Sequence, residues 1–224
     1  DSTRVYPLAI VLDAEYLFDI YVANSKLFAA KDKAPEQIVV GIFQNQKNER
    51  KLDCAVDLNS MLTETSSKFY KFIKNELIGY VEDNYRISPF RTIVGNTITA
   101  NFTNYFMVEP SPIFNAYVNI NPRYSQDMAD LFRGKVPTLD RHTYYYLNNG
   151  AFLGEQKSKS IETLYYVLKN FENENFKYKY DEFNTSTSIS SIGQAIPGAM
   201  AHIFDMYSSI SKEEFNNNIA DLSP

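Results

Sequence analysis

An α/β architecture, with a mostly parallel sheet covered by helices on both faces, is what this 224-residue chain predicts. Three observations carry it. Short apolar runs recur along the chain, and each is followed by a segment with helical spacing. Several runs are apolar without alternation, as in strands buried on both faces. Hydrophobic residues make up 44% and charged residues 22%, which leaves material for a sizeable core. With 17 Tyr, 16 Phe and no Trp, aromatic rings should do much of the packing. No internal repeat or low-complexity linker interrupts the pattern, so one domain over residues 1–224 is expected.

Taken in order, "YPLAIVLDA" (6–14) is an apolar run ending in a carboxylate, with residues 6–13 expected in the sheet. "EYLFDIYVANSKLFAA" spaces Tyr16, Ile20, Leu27 and Phe28 as a helix, which Pro35 closes. "QIVVGIF" supplies a second buried strand over 38–43, and "QNQKNERKLDCAVD" is a polar loop. "SSKFYKFIKNELIGYVEDNY" puts Phe69, Phe72, Ile73, Leu77 and Tyr80 on one helical face, with Ser66 or Ser67 as cap. Pro89 is expected to break the chain before a third strand at 91–94, and the helix "TANFTNYFMVE" ends at "PSP". A fourth strand follows at 116–120, then the short helix "SQDMADLFRG", stopped by Gly134. A fifth strand at 144–147 leads into the helix "SKSIETLYYVLKNFENE". "FKYKYDEF" alternates as a strand, "NTSTSISSIG" is a polar loop, and "AIPGAMAHIFDMYSSI" is a closing helix with Pro197 near its first turn.

The totals exclude several functions. A net charge of -5 and a pI of about 5.2, with no Lys/Arg stripe, argue against nucleic-acid binding. Cys54 is the single cysteine, so neither an intrachain disulfide nor a cysteine metal cluster can form. Glycine-rich phosphate loops, H-E-x-x-H and other metal spacings are missing, so no cofactor and no metal are expected. No apolar run is long enough to span a bilayer. The opening "DSTRVYPLAIVLD" lacks a basic region ahead of an apolar one, so it is not read as a signal peptide. A strand beginning at Tyr6 reads as a mature or trimmed form. The protein is expected to be soluble, either cytoplasmic or exported with its signal removed, and free to oligomerise.

The stretch "RTIVGNTITANF" (91–102) reads as a buried strand, a glycine turn and a helix. In α/β-hydrolases such a turn carries a nucleophilic serine in G-x-S-x-G, because the strained turn exposes the side chain and the next backbone N–H helps to form the oxyanion hole. Here Gly95-Asn96-Thr97-Ile98-Thr99 keeps the first glycine and substitutes threonine for serine.

Other segments then fall into the order of one family. The chain resembles the group of α/β-hydrolases that contains esterase D and the enterochelin-esterase-like enzymes. "YPLAIVLDAEYLF" is similar to its Y-P-V-L-Y-L-L-D-G strand. "IVVGIFQNQKNERKLDCAVD" resembles its I-V-G-I…R-x-x-D segment, with Arg50 and Asp53 in matching places. "FYKFIKNELIGYVEDNYRISPFRTIVGN" and "PSPIFNAYVNINPRY" resemble the segments around its nucleophile. The resemblance covers nearly the whole chain and implies an α/β-hydrolase-like fold lacking the family's N-terminal strands.

It also implies a degenerate triad. Thr97 stands for the nucleophile, Ser186 for the histidine, and Glu155 is the loosely placed candidate acid. The family's G-H-S-x-G-G becomes Gly95-Asn96-Thr97-Ile98-Thr99-Ala100, which should relax the elbow to a plain turn. Asp13, Ala14, Arg50, Asp53, Asn96 and Ile98 are the candidate ligand contacts, with Arg50 and Asp53 most simply read as a loop-fixing ion pair. His142 and His202, the only histidines, fall outside the triad order and read as surface or capping imidazoles. Glu76 reads as a solvated helix position and the Tyr145–Tyr146 pair as core. The glycosylation patterns at Asn101 and Asn184 match too often by chance to be used.

A hydroxyl without a base in reach is a poor nucleophile, and the threonine methyl restricts χ1 at a crowded turn. The expected function is therefore a pseudoenzyme that binds a small molecule or a protein. The alternatives are an active hydrolase of siderophore, feruloyl or small acyl esters using an atypical site, and a structural or assembly module.

Overall fold

The computed structural model describes residues 3–44, 48–125, 127–150 and 155–207, the side chains of 155–158 excepted. Six strands form one sheet in the order β2-β1-β3-β4-β5-β6, and every pairing in it is parallel. They are β1 (Tyr6–Val11), β2 (Ile38–Gly41), β3 (Ile87–Asn96), β4 (Ala116–Ile120), β5 (Thr143–Gly150) and β6 (Phe176–Phe183). Between them run α1 (Ala14–Ala30), α2 (Glu49–Asp53), α3 (Glu64–Lys71), α4 (Ile78–Asn84), α5 (Ile98–Thr103), α6 (Met128–Lys135), α7 (Glu155–Lys169) and α8 (Ser190–Ile203).

Strand alternation sends neighbouring side chains to opposite faces. Leu8, Ile10, Leu12, Ile93, Tyr117 and Tyr145 enter a core roofed by α3 to α7. Ala9, Val11, Val94, Val118 and Tyr146 enter a second core under α1 and α8, with Leu17, Tyr21, Ile196 and Met200. Helices thus cover both faces, as expected, and Tyr145 and Tyr146 are core residues on opposite sides. No helix among the described residues is long and apolar enough to cross a membrane.

Several elements differ from the sequence reading, each for a local reason. β3 runs through Pro89: the β1–β3 register shifts between Tyr6↔Ile87 and Leu8↔Arg91, and this irregularity absorbs the residue that has no N–H. α3 starts earlier than Ser66, because Thr63 is its cap and accepts from the Ser66 N–H at 3.3 Å. A π-helical stretch, Phe72–Leu77, joins α3 to α4. Its wider turn rotates the expected face, so Tyr70, Ile73, Ile78 and Val81 are buried while Phe72 and Tyr80 are exposed. Gly134 lies inside α6, which continues through Lys135, instead of stopping it. Part of the expected polar loop is helical, since α8 begins at Ser190, which places Pro197 in its interior.

The strand order fixes where a ligand could enter. The chain leaves β1 toward β2 and returns to the other side of β1 as β3, so the β1/β3 boundary is a topological switch point. Crevices at the carboxyl ends of such strands are the usual ligand sites of open α/β sheets.

Candidate active site

Asp13 and Thr97 flank that crevice, one just past β1 and the other just past β3. Both leave their strands through positive φ, 54° at Asp13 and 58° at Thr97, where ψ is -107°. For a β-branched residue this is an outlier that costs on the order of 1–3 kcal/mol. The elbow is therefore kept sharp, and the expectation of a plain turn is corrected. Gly95 explains how: a Cβ there would lie 2.7 Å from the Ala100 nitrogen and 2.7 Å from the Thr99 carbonyl carbon. Only a residue without a side chain lets α5 come that close to β3.

Position 99, where G-x-S-x-G has its second glycine, carries a threonine whose side chain is bonded on both sides. Thr99 is buried; its hydroxyl donates to Asp13 Oδ2 at 2.6 Å and accepts from the Asn96 N–H at 2.7 Å. Asn96 in turn donates its amide to the Tyr16 hydroxyl at 2.9 Å. Burial, and next the Asp13 carboxylate nearby, push the Tyr16 phenol up to about 12.

Arg50 reaches into this cluster from α2. Its Nε and Nη2 grip the fully buried Asp13 carboxylate, with Nη2 to Oδ2 at 3.1 Å. The same Nη2 donates to the Asn96 carbonyl at 2.8 Å and to Thr97 Oγ1 at 2.9 Å. The expected Arg50–Asp53 pair is not formed: Asp53 instead accepts from Gln44 Nε2 at 3.2 Å. The geometry follows from burial, since a carboxylate at the end of a fully buried strand demands a cation and α2 delivers one. A guanidinium holds the Thr97 hydroxyl oxygen but has no lone pair to take its proton.

Asp13, Arg50, Asn96 and Thr97 are thus brought together. Ala14 is buried against β2, its N–H bonded to the Ile42 carbonyl, and Ile98 packs on the core below α5. Ser186 is buried after β6 and accepts from Gln194 Nε2 at 2.8 Å. Its loop is tied toward the elbow, because Asn121 Nδ2 donates to the Ser188 carbonyl at 3.1 Å and to Ser191 Oγ at 2.8 Å. Asn121 follows Ile120, whose carbonyl accepts the Thr97 N–H at 2.9 Å. Glu155 opens α7, and its side chain lies outside the described residues.

Neither imidazole is near. Thr92, Ala116, Tyr144 and Lys177 stand level across the sheet, and His202 Nε2 contacts the Lys177 carbonyl at 3.0 Å. Thr97 lies five residues further along β3's course, about 16 Å at 3.3 Å per residue. His142 is exposed and precedes the first residue of β5, on the same amino edge. Tyr16, Thr99 and Asn121 were not legible as site residues. The one sequence signal was Asp13 itself, a carboxylate closing an apolar run.

No protein-family model matches the chain, and no curated protein matches it. Solved structures do. An uncharacterised protein from Capnocytophaga ochracea DSM 7271 superposes with a TM-score of 0.88 at 23% identity, over 96% of this chain and 60% of its own. This chain therefore spans less than two thirds of that protein. An IroE-like serine hydrolase from Shewanella oneidensis gives 0.78 at 17% identity, over 95% of this chain and 75% of its own. The enterobactin esterase FES from Shigella flexneri gives 0.69 at 13% identity, over 91% and 54%. With its parallel six-stranded sheet and sharp elbow, the chain has the α/β fold of these serine hydrolases and esterases.

Proposed function

We propose that this protein is a non-catalytic member of the siderophore-esterase-like hydrolases, which binds a ligand or partner at the β1/β3 crevice without cleaving it. The observation that carries this reading is the Thr97 hydroxyl, held by Arg50 Nη2 at 2.9 Å while both imidazoles sit on the opposite edge of the sheet. Without an imidazole base the site retains at most the binding and oxyanion contributions, about three to four orders of magnitude over water and about six short of a working triad. Esters of the siderophore type are the first ligands to test, given the neighbours' names.

An active ester hydrolase is the second reading, favoured by the strain retained at Thr97. One experiment separates them. Purified protein should give no turnover of short-chain nitrophenyl esters above buffer and should resist fluorophosphonate labelling. Thr97→Ala should change neither result. Stoichiometric labelling at Thr97, or a rate that Thr97→Ala abolishes, would establish the hydrolase instead.

A further inference from the structure

The turn that follows β4 clasps the elbow from both sides. Thr97 donates its N–H to the Ile120 carbonyl at 2.9 Å and accepts the Arg123 N–H on its own carbonyl at 3.0 Å. Asn121, at φ 43°, bends the chain between those two bonds. Arg123 is thus anchored at the elbow by its backbone. Its side chain is exposed and has neither ion pair nor hydrogen bond among the described residues.

Arg50 brings a second guanidinium to the same mouth. Its Nε and Nη2 are taken by Asp13, the Asn96 carbonyl and Thr97 Oγ1. Nη1 has no partner among the described residues and is open to solvent, the side chain being 31% exposed. Thr97 is half-buried; its oxygen accepts from Arg50, and its hydroxyl hydrogen goes to no described residue. The groups a ligand can reach here are therefore donors. The unpaired acceptor of the cluster, Asn96 Oδ1, is buried. Asp13 balances Arg50, and Glu15 and Asp53 are turned to the β2–α2 side, where Gln44 donates to both at 2.6 and 3.2 Å. Of the two cations at the elbow, Arg123 is the one without a counter-ion.

We propose that the elbow binds free carboxylic acids, as carboxylates, in preference to their esters, with the carboxylate between Arg123, Arg50 Nη1 and the Thr97 hydroxyl. This rests on the crevice being a binding site and names the class of ligand it selects: the product of ester cleavage, not the substrate. An ester brings no charge to these donors, whereas a carboxylate makes charge-assisted bonds about twice as strong. A single unbalanced guanidinium also matches a monoanion better than a dianion.

The test is an NMR titration of the full chain at low salt with benzoate and, separately, methyl benzoate. Benzoate should saturate with a Kd below about 5 mM, and its ester should bind at least about tenfold more weakly. Arg123→Gln, at an exposed position that the fold does not need, should weaken benzoate about tenfold and leave the ester unchanged. Thr97→Val, which keeps the branched shape, should weaken benzoate about threefold. Equimolar inorganic phosphate should displace less than about half of the benzoate. Thermal melts should confirm that each variant folds. Ester bound as tightly as the acid, with Arg123→Gln weakening neither, would overturn this inference and leave the crevice a binding site. Full displacement by phosphate would overturn it too. If neither compound binds up to about 10 mM, the crevice reading falls and this inference with it. Methanol released from the ester in the same tube would refute the non-catalytic reading alone, since the benzoate Kd still measures the preference for the acid.

Discussion

Replacing Gly95 by alanine tests whether the elbow is built as described. The added Cβ would stand 2.7 Å from the Ala100 nitrogen, 2.7 Å from the Thr99 carbonyl carbon and 2.8 Å from its oxygen. All three are backbone atoms of α5, so no side chain can rotate away, and relief requires β3 and α5 to separate. Thr99 sits at that contact with its hydroxyl bonded to Asp13 and Asn96, so separation would also loosen the polar cluster. Overpacking of this kind costs about 3 kcal/mol. In a domain of this size that lowers the melting temperature by about 6–12 °C. Gly79→Ala is the control, because no atom lies within 4 Å of its Cβ position in α4. There the same substitution should stabilise by about 0.5–1 kcal/mol through helix propensity and lost unfolded-state freedom. Thermal denaturation of the three proteins decides the matter. A Gly95→Ala midpoint equal to wild type would show that α5 does not press on β3.

Four further outcomes follow from the same geometry. Asp13→Asn leaves Arg50 without its buried counter-charge and should cost about 3 kcal/mol, read as a lower urea midpoint at unchanged m. The Tyr16 phenol rises from 10.0 to about 12, so the native state holds its proton; this contribution is whole below pH 10 and fades as pH climbs through about 12. Burial raises other phenols too, Tyr180 also to about 12, so phenolate absorbance near that pH should fall by one group in Tyr16→Phe and keep the rest. Burial holds the His202 imidazole below 6.5, so the unfolded chain binds a proton that the native state resists; stability should fall as pH drops below 6.5, a slope that His202→Gln flattens. Thr97→Ser and Ser186→His should each be silent in ester hydrolysis, and only the pair can give weak turnover, because triad groups act as a unit; equal activity in a single and the double variant would refute that.

The alternation of apolar runs and helical spacings in the sequence was enough to determine a parallel α/β sheet with two covered faces. It placed Thr97 at the strand-to-helix turn and marked Gly95 as the residue that turn needs. Those are local matters: a period of two or 3.6, a glycine where a backbone must approach, a carboxylate closing a strand. Whether the elbow stayed sharp was not local. It depends on Gly95 meeting α5 backbone and on Thr99 finding Asp13, 86 positions away. The partner of Arg50 was misread for the same reason: Asp53 is three residues away in sequence, but strand order sets Asp13, 37 residues away, at the mouth of the switch point. Pro89 and the π turn show local rules overridden by pairing and packing. The fate of the two histidines was settled by strand direction alone, since six parallel strands put every carboxyl end on one edge, and His142 and His202 fall on the other.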